Sequence, residues 1–136
     1  MPTPPPRLRP PKPGTPNYNT STTTGIEPNV AGPLAYMLGP VTGILFLLLE
    51  KTNRYVRFHA AQSTVASTLF ILLTIGIGTV ARVAAFVPVF GWLVVLILTM
   101  GVGLIIFALW LMLMWKAYSG EEWELPVAGE LARKLV

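Results

Sequence analysis

The sequence has no cysteine, no aspartate and a single histidine, His59. Without cysteine there is no disulfide, no thiolate metal site and no cysteine nucleophile. Without aspartate no Ser-His-Asp set forms, and Glu50 is a weak substitute. One histidine without a second ligand beside it predicts no metal site. Charge is scarce too. Only 12% of the 136 residues are Lys, Arg or Glu, where a soluble domain carries about a quarter. No carboxylate lies inside an apolar run, so a paired acid and base are not expected. The pairs Gly76/Gly78 and Gly101/Gly103 sit in apolar stretches with no strand before them, which excludes a phosphate loop. These gaps predict a protein that is not an enzyme and takes no cofactor.

The remaining charges are unevenly placed. There are none in the 22 residues between Glu27 and Glu50, the 24 between Arg57 and Arg82, or the 33 between Arg82 and Lys116. A helix needs about 20 apolar residues to cross roughly 30 Å of hydrocarbon. The pattern predicts an all-α integral membrane protein with three transmembrane helices, at about 30–49, 54–85 and 91–115. The first two would form an antiparallel hairpin around the short turn 50–53. Pro40 lies inside the first helix and is expected to kink it, freeing a carbonyl near Tyr36 that needs a new partner. Val87, Pro88 and Val89 mark the second break. Trp92 and Trp115 suit two aromatic belts.

The membrane domain is read as residues 29–136, and both ends of the chain differ from its apolar helices. Nine of the 13 prolines fall in residues 1–28, which predicts a disordered or extended tail. That tail is a flexible leader or, less economically, a Pro-x-x-Pro ligand. The C-terminal segment 120–136 reads as short and amphipathic, able to lie on the membrane.

The net charge of +4 reads as an orientation signal rather than a nucleic-acid footprint. Lys51, Arg54, Arg57 and Lys116 flank apolar runs and are expected at lipid headgroups, with anionic lipid as a contact. With three crossings, these residues and Arg133 and Lys134 share one side. The hairpin turn and the C-terminus are therefore expected in the cytoplasm, with the tail outside and the cell membrane as the host. Arg82 lies close to Pro88 and reads as a snorkelling interfacial residue rather than a buried functional one.

Two side-chain patterns stand out. Ala31, Ala35, Gly39 and Gly43 form a small-residue stripe that includes a GxxxG element, with Thr74/Gly78 and Thr99/Gly103 at the same spacing. Such stripes let helices approach closely, within the chain or between copies. Tyr55, His59, Gln62, Ser63 and Ser67 form a polar face on the second helix. It reads as interhelical hydrogen bonding or, in an oligomer, as the wall of a polar path.

The segments NVAGPLAYMLGPVTGILFLLLEKTNRYVRFHAAQS and KAYSGEEWELPVAGELARKL, with two apolar helices between them, resemble a family of small multispanning membrane proteins of bacteria and archaea with no assigned function. That family is in turn similar to the Tic-twenty component of the chloroplast inner-envelope import translocon. Its most specific parts here are Asn53 to Ser63 and Ala117 to Leu131. The resemblance implies an α-helical membrane protein, either a scaffold or accessory subunit of a larger complex or homo-oligomer, or a translocon-like channel component. The plant component has four spanning helices where three are read here, so a peptide-wide path would need several copies.

Overall fold

The computed structural model describes residues 21–88 and 90–136. Most of the proline-rich tail lies outside the described residues. Five helices follow in order: α1 (Pro28–Leu34), α2 (Pro40–Leu49), α3 (Arg54–Ala84), α4 (Gly91–Tyr118) and α5 (Ala128–Leu135). Among the described residues there is no strand.

Helices α3 and α4 form the long antiparallel pair. Asn53 caps α3 by accepting from the Val56 amide at 3.2 Å. Along both helices threonine hydroxyls donate back to the carbonyl one turn earlier, as in Thr74 to Phe70 and Thr99 to Val95, each at 2.8 Å. This hides the polar hydroxyl within an apolar surface. At 1.5 Å per residue, the 31 and 28 residues give lengths of about 46 and 42 Å. These two helices are long and apolar enough to cross a membrane.

The first apolar segment departs from expectation. It is two short helices of 7 and 10 residues, not one crossing helix over 30–49. Pro40 disfavours helical backbone at the residue before it, and Gly39 adopts φ 60°, a left-handed value open to glycine. The chain therefore reverses rather than kinks. Thr23 and Thr24 lie beside Glu50. From there α1 climbs past Tyr55 and Ala117, with Gly32 against both. The turn 35–39 reaches the level of Ser63 and Ser67. α2 then descends along α3 to Glu50.

The carbonyls of Ala35, Tyr36 and Gly39 in this reversal find side-chain partners. The Ser63 hydroxyl donates to Ala35 at 2.6 Å and to Gly39 at 3.2 Å. Thr42 donates to Ala35 at 2.9 Å. The Tyr36 carbonyl, four residues before Pro40, accepts from the Trp110 indole at 2.8 Å.

The C-terminal segment completes a collar around the first half of α3. The Gln62 amide donates to the Trp123 carbonyl at 3.0 Å. Ala132 of α5 packs on Phe58 and Ala61. Beyond Ser67 the collar stops. From there α3 and α4 present mostly exposed apolar side chains, among them Leu72, Ile75, Val80, Ile97 and Leu104.

Two substitutions test this packing. Trp110→Phe keeps the ring but removes the donor to Tyr36, and should cost about 1–3 kcal/mol, read as a lowered unfolding midpoint in detergent. At Gly43 an added Cβ would sit 2.8 Å from the Ala60 carbonyl oxygen, whereas at Gly103 it would meet nothing within 4 Å. Gly43→Ala should therefore destabilise by about 1–3 kcal/mol. Gly103→Ala should be neutral or stabilise by up to about 1 kcal/mol in the same measurement.

Candidate functional site

The polar face of α3 is turned inward. Tyr55, His59, Gln62 and Ser63 are all buried, and Ser67 is half-buried against Gly39. Together the four reach three other parts of the chain. The Tyr55 hydroxyl donates to the Ala117 carbonyl in the last turn of α4. His59 Nδ1 lies 3.2 Å from the Tyr36 hydroxyl, and the His59 ring meets Tyr55 edge-on at 4.5 Å between centroids. Gln62 holds the C-terminal segment and Ser63 holds the turn between α1 and α2. At three- and four-residue spacing these side chains fan across neighbouring positions of one helix face. About two and a half helix turns thus fasten three other segments. His59 Nε2 and Gln62 Oε1 are buried without a hydrogen-bond partner.

The small residues divide into two groups. Ala31 and Ala35 are fully buried, and Gly39 and Gly43 lie against Ser67, Ala60 and Thr64 of α3. Thr74, Thr99 and Gly103 are exposed, and at Gly78 and Gly103 an added Cβ would enter open space. The structure brings only the first group into contact within the chain.

The basic residues also divide. Lys51 and Arg54 are exposed. Arg57 donates to the Glu50 carbonyl at 3.4 Å. Lys116 pairs with Glu121 at 2.6 Å. Arg133 binds Glu124, reaches Glu122 at 3.5 Å and lies 4.9 Å over the Phe58 ring. Arg82 is exposed near the far end of α3. The exit of the N-terminal segment is a correction. Three crossings would put it opposite the 50–53 turn, yet Thr22, Thr23 and Thr24 lie on the same end as that turn, because the chain doubles back at Gly39.

Several organising residues carry no obvious sequence pattern. Glu50 is the clearest. Its carboxylate accepts from the amides of Thr23, Thr52 and Asn53 at 3.0, 3.1 and 2.9 Å, and from the hydroxyls of Thr23 and Thr52. Its one signal was its isolation, a lone carboxylate beside an apolar run. Trp110 signalled itself by position, since an indole N–H in mid-helix needs a partner away from water. Among the described residues no three His or Glu side chains converge as a metal site.

Burial pushes the Glu50 carboxyl up, but the hydrogen bonds from Thr23, Asn53 and Thr52 outweigh it and hold the group at about 2. A carboxyl depressed on folding stabilises the protein above its ordinary value of about 4.3, and that stabilisation is lost as pH falls toward the folded value. Unfolding midpoints in detergent should therefore fall between about pH 4.5 and 2. Glu50→Gln should lose about 1–3 kcal/mol at neutral pH. The gap between variant and parent should then close on acidification. A gap unchanged at low pH would mean the carboxylate is not the source.

Comparison with known proteins places these residues in a lineage. Residues 26–132 match the model of the MamF/MmsF magnetosome magnetite crystal formation protein family. A UPF0132 membrane protein of Archaeoglobus fulgidus is 44% identical over 111 residues, covering 82% of this chain and 97% of that protein. A UPF0132 membrane protein of Methanocaldococcus jannaschii is 41% identical over 113 residues, covering 83% and 92%. No solved structure matches. With a family match across both long helices and most of the collar, the chain belongs to the MamF/MmsF family of small membrane proteins.

Proposed function

We propose that the protein is a structural or accessory membrane subunit without catalytic activity of its own. Two helices cross the bilayer, and a re-entrant collar occupies one face. The observation that carries this reading is the inward-turned polar face of α3. Its hydroxyl, imidazole and amide groups are used to hold the chain's own segments, not to line an open site. A translocon- or channel-like path, as in the resemblance to the import translocon, would need that face uncovered. Magnetite crystal formation belongs to the family's description. The described residues of this chain bring together no set of metal-ligating side chains to support it.

Partners follow from what stays bare. The far halves of α3 and α4 carry open positions at Gly76, Gly78, Gly101 and Gly103. In a bilayer these faces meet lipid, a second copy or another subunit. Orientation follows from charge. Lys51, Arg54, Arg57, Lys116, Arg133 and Lys134 lie at the collar end and Arg82 at the other. Basic residues favour the cytoplasmic side, so the collar, the 50–53 turn and the C-terminus face the cytoplasm. The N-terminal segment enters from that side as well.

The absence of native cysteine makes the test direct. Single variants Ser21→Cys, Lys51→Cys and Glu130→Cys should react with an impermeant maleimide from the cytoplasmic side, and Phe86→Cys from the other. Ser21→Cys and Lys51→Cys reacting from opposite sides would restore three crossings. The same protein in planar bilayers should be electrically silent, and a reproducible conductance would replace the structural reading with the channel.

A further inference from the structure

The cross-section of the molecule changes abruptly along α3. At the level of residues 58–63 it includes parts of five helices. The turn after α1 is bonded to Ser63, Gly43 and Phe46 of α2 pack beside Ala60, and Ala132 of α5 rests on Phe58 and Ala61. α4 is fixed at the same end through Trp110 and Ala117. Beyond Ser67 only α3 and α4 remain. The collar spans residues 54–67 of α3, about 21 Å, and the bare pair continues for residues 68–84, about 25 Å. A bilayer is about 40–45 Å thick with its headgroup regions. The collar therefore fills one leaflet and its interface, and the other leaflet holds two helices. Each helix is about 10 Å across, so the area taken in one leaflet is about twice that in the other.

The collar's outer surface is suited to that leaflet. Val41, Ile44, Leu45, Leu48 and Leu49 of α2 are all exposed, and they continue the apolar band of α3 and α4 without a charged interruption. On α5 the small residues Ala128, Gly129 and Ala132 are buried, while Leu131 and Leu135, with Val127 just before the helix, are exposed at four-residue spacing beside the charged Glu130, Arg133 and Lys134. The polar atoms of the turn after α1 are bonded inward and Glu50 gathers those of the 50–53 loop, while the exposed Glu130, Arg133 and Lys134 of α5 pair with one another and with Glu124 on the collar's surface, the side that headgroups would meet. The Ser63 and Trp110 bonds tie the wedge to the crossing helices, so it cannot flatten without exposing backbone carbonyls to lipid.

We propose that this one-sided collar makes the protein a curvature-responsive wedge, whose partner is the lipid of a membrane that bulges toward the collar side. The wide end expands the leaflet it occupies, and the membrane relieves the mismatch by becoming convex on that face. The proposal rests on the two-crossing topology above, and it adds a lipid-shape preference that the structural role does not require.

Orientation supplies an internal control. The full chain is reconstituted into giant vesicles of neutral phosphatidylcholine, and a thin tube is pulled outward from each. An impermeant dye added outside marks collar-out molecules in the Lys51→Cys protein and collar-in molecules in the Phe86→Cys protein. Tube-to-vesicle dye density should be several-fold above that of a lipid dye for collar-out molecules, and below it for collar-in molecules. Equal ratios for the two would overturn the wedge. They would leave the topology standing, because topology is read separately by the maleimide pattern of Ser21→Cys and Lys51→Cys. Those two residues labelling from opposite sides would remove the topology and the wedge together.

Discussion

A chain that enters a membrane and turns back must satisfy the backbone carbonyls at its turn. Lipid offers them no donor, and each unsatisfied group costs several kcal/mol. Here the reversal at Gly39 and Pro40 leaves the carbonyls of Ala35, Tyr36 and Gly39 to be satisfied. Ser63, Thr42 and Trp110 supply the donors. The rest of the architecture depends on those bonds. They fix how deep the hairpin goes and how closely α2 must approach α3. That approach is what makes Gly43 necessary.

The same constraint explains the polar content of α3. A helix at membrane depth has little reason to carry Tyr, His, Gln and Ser within nine residues unless each has work inside the protein. In this chain they act as fasteners. Tyr55 holds α4, His59 faces Tyr36, Gln62 holds the C-terminal segment and Ser63 holds the turn. Glu50 does the equivalent at the start of α3, where its carboxylate gathers the amides of two loops. The ion pairs of Arg133, Lys116 and Lys134 then tie the acidic C-terminal segment to the collar. Most of the collar lies inside the region that matches the family, 26–132.

The sequence made some of this legible. Charge-free runs marked the membrane segments, because charge is costly in hydrocarbon. Pro40 announced a break and an orphaned carbonyl near Tyr36. The polar face on α3 showed in its spacing. The direction of the break was not legible. A proline in an apolar run is equally consistent with a kink and a reversal, and 20 apolar residues satisfy the length rule whether or not they run straight.

By itself, then, the sequence determined the membrane class, the two long helices, the site of the break and the face that would carry polar bonds. All of these follow from local periodicity, charge and backbone restriction. Only the tertiary structure decided that the first segment doubles back. It also decided which stripe of small residues packs within the chain and which is left bare. The physical reason is the range of the interactions. Two of the three donors that make the reversal tolerable, Ser63 and Trp110, lie 28 and 74 residues away from the carbonyls they satisfy, and no local pattern around Pro40 contains them.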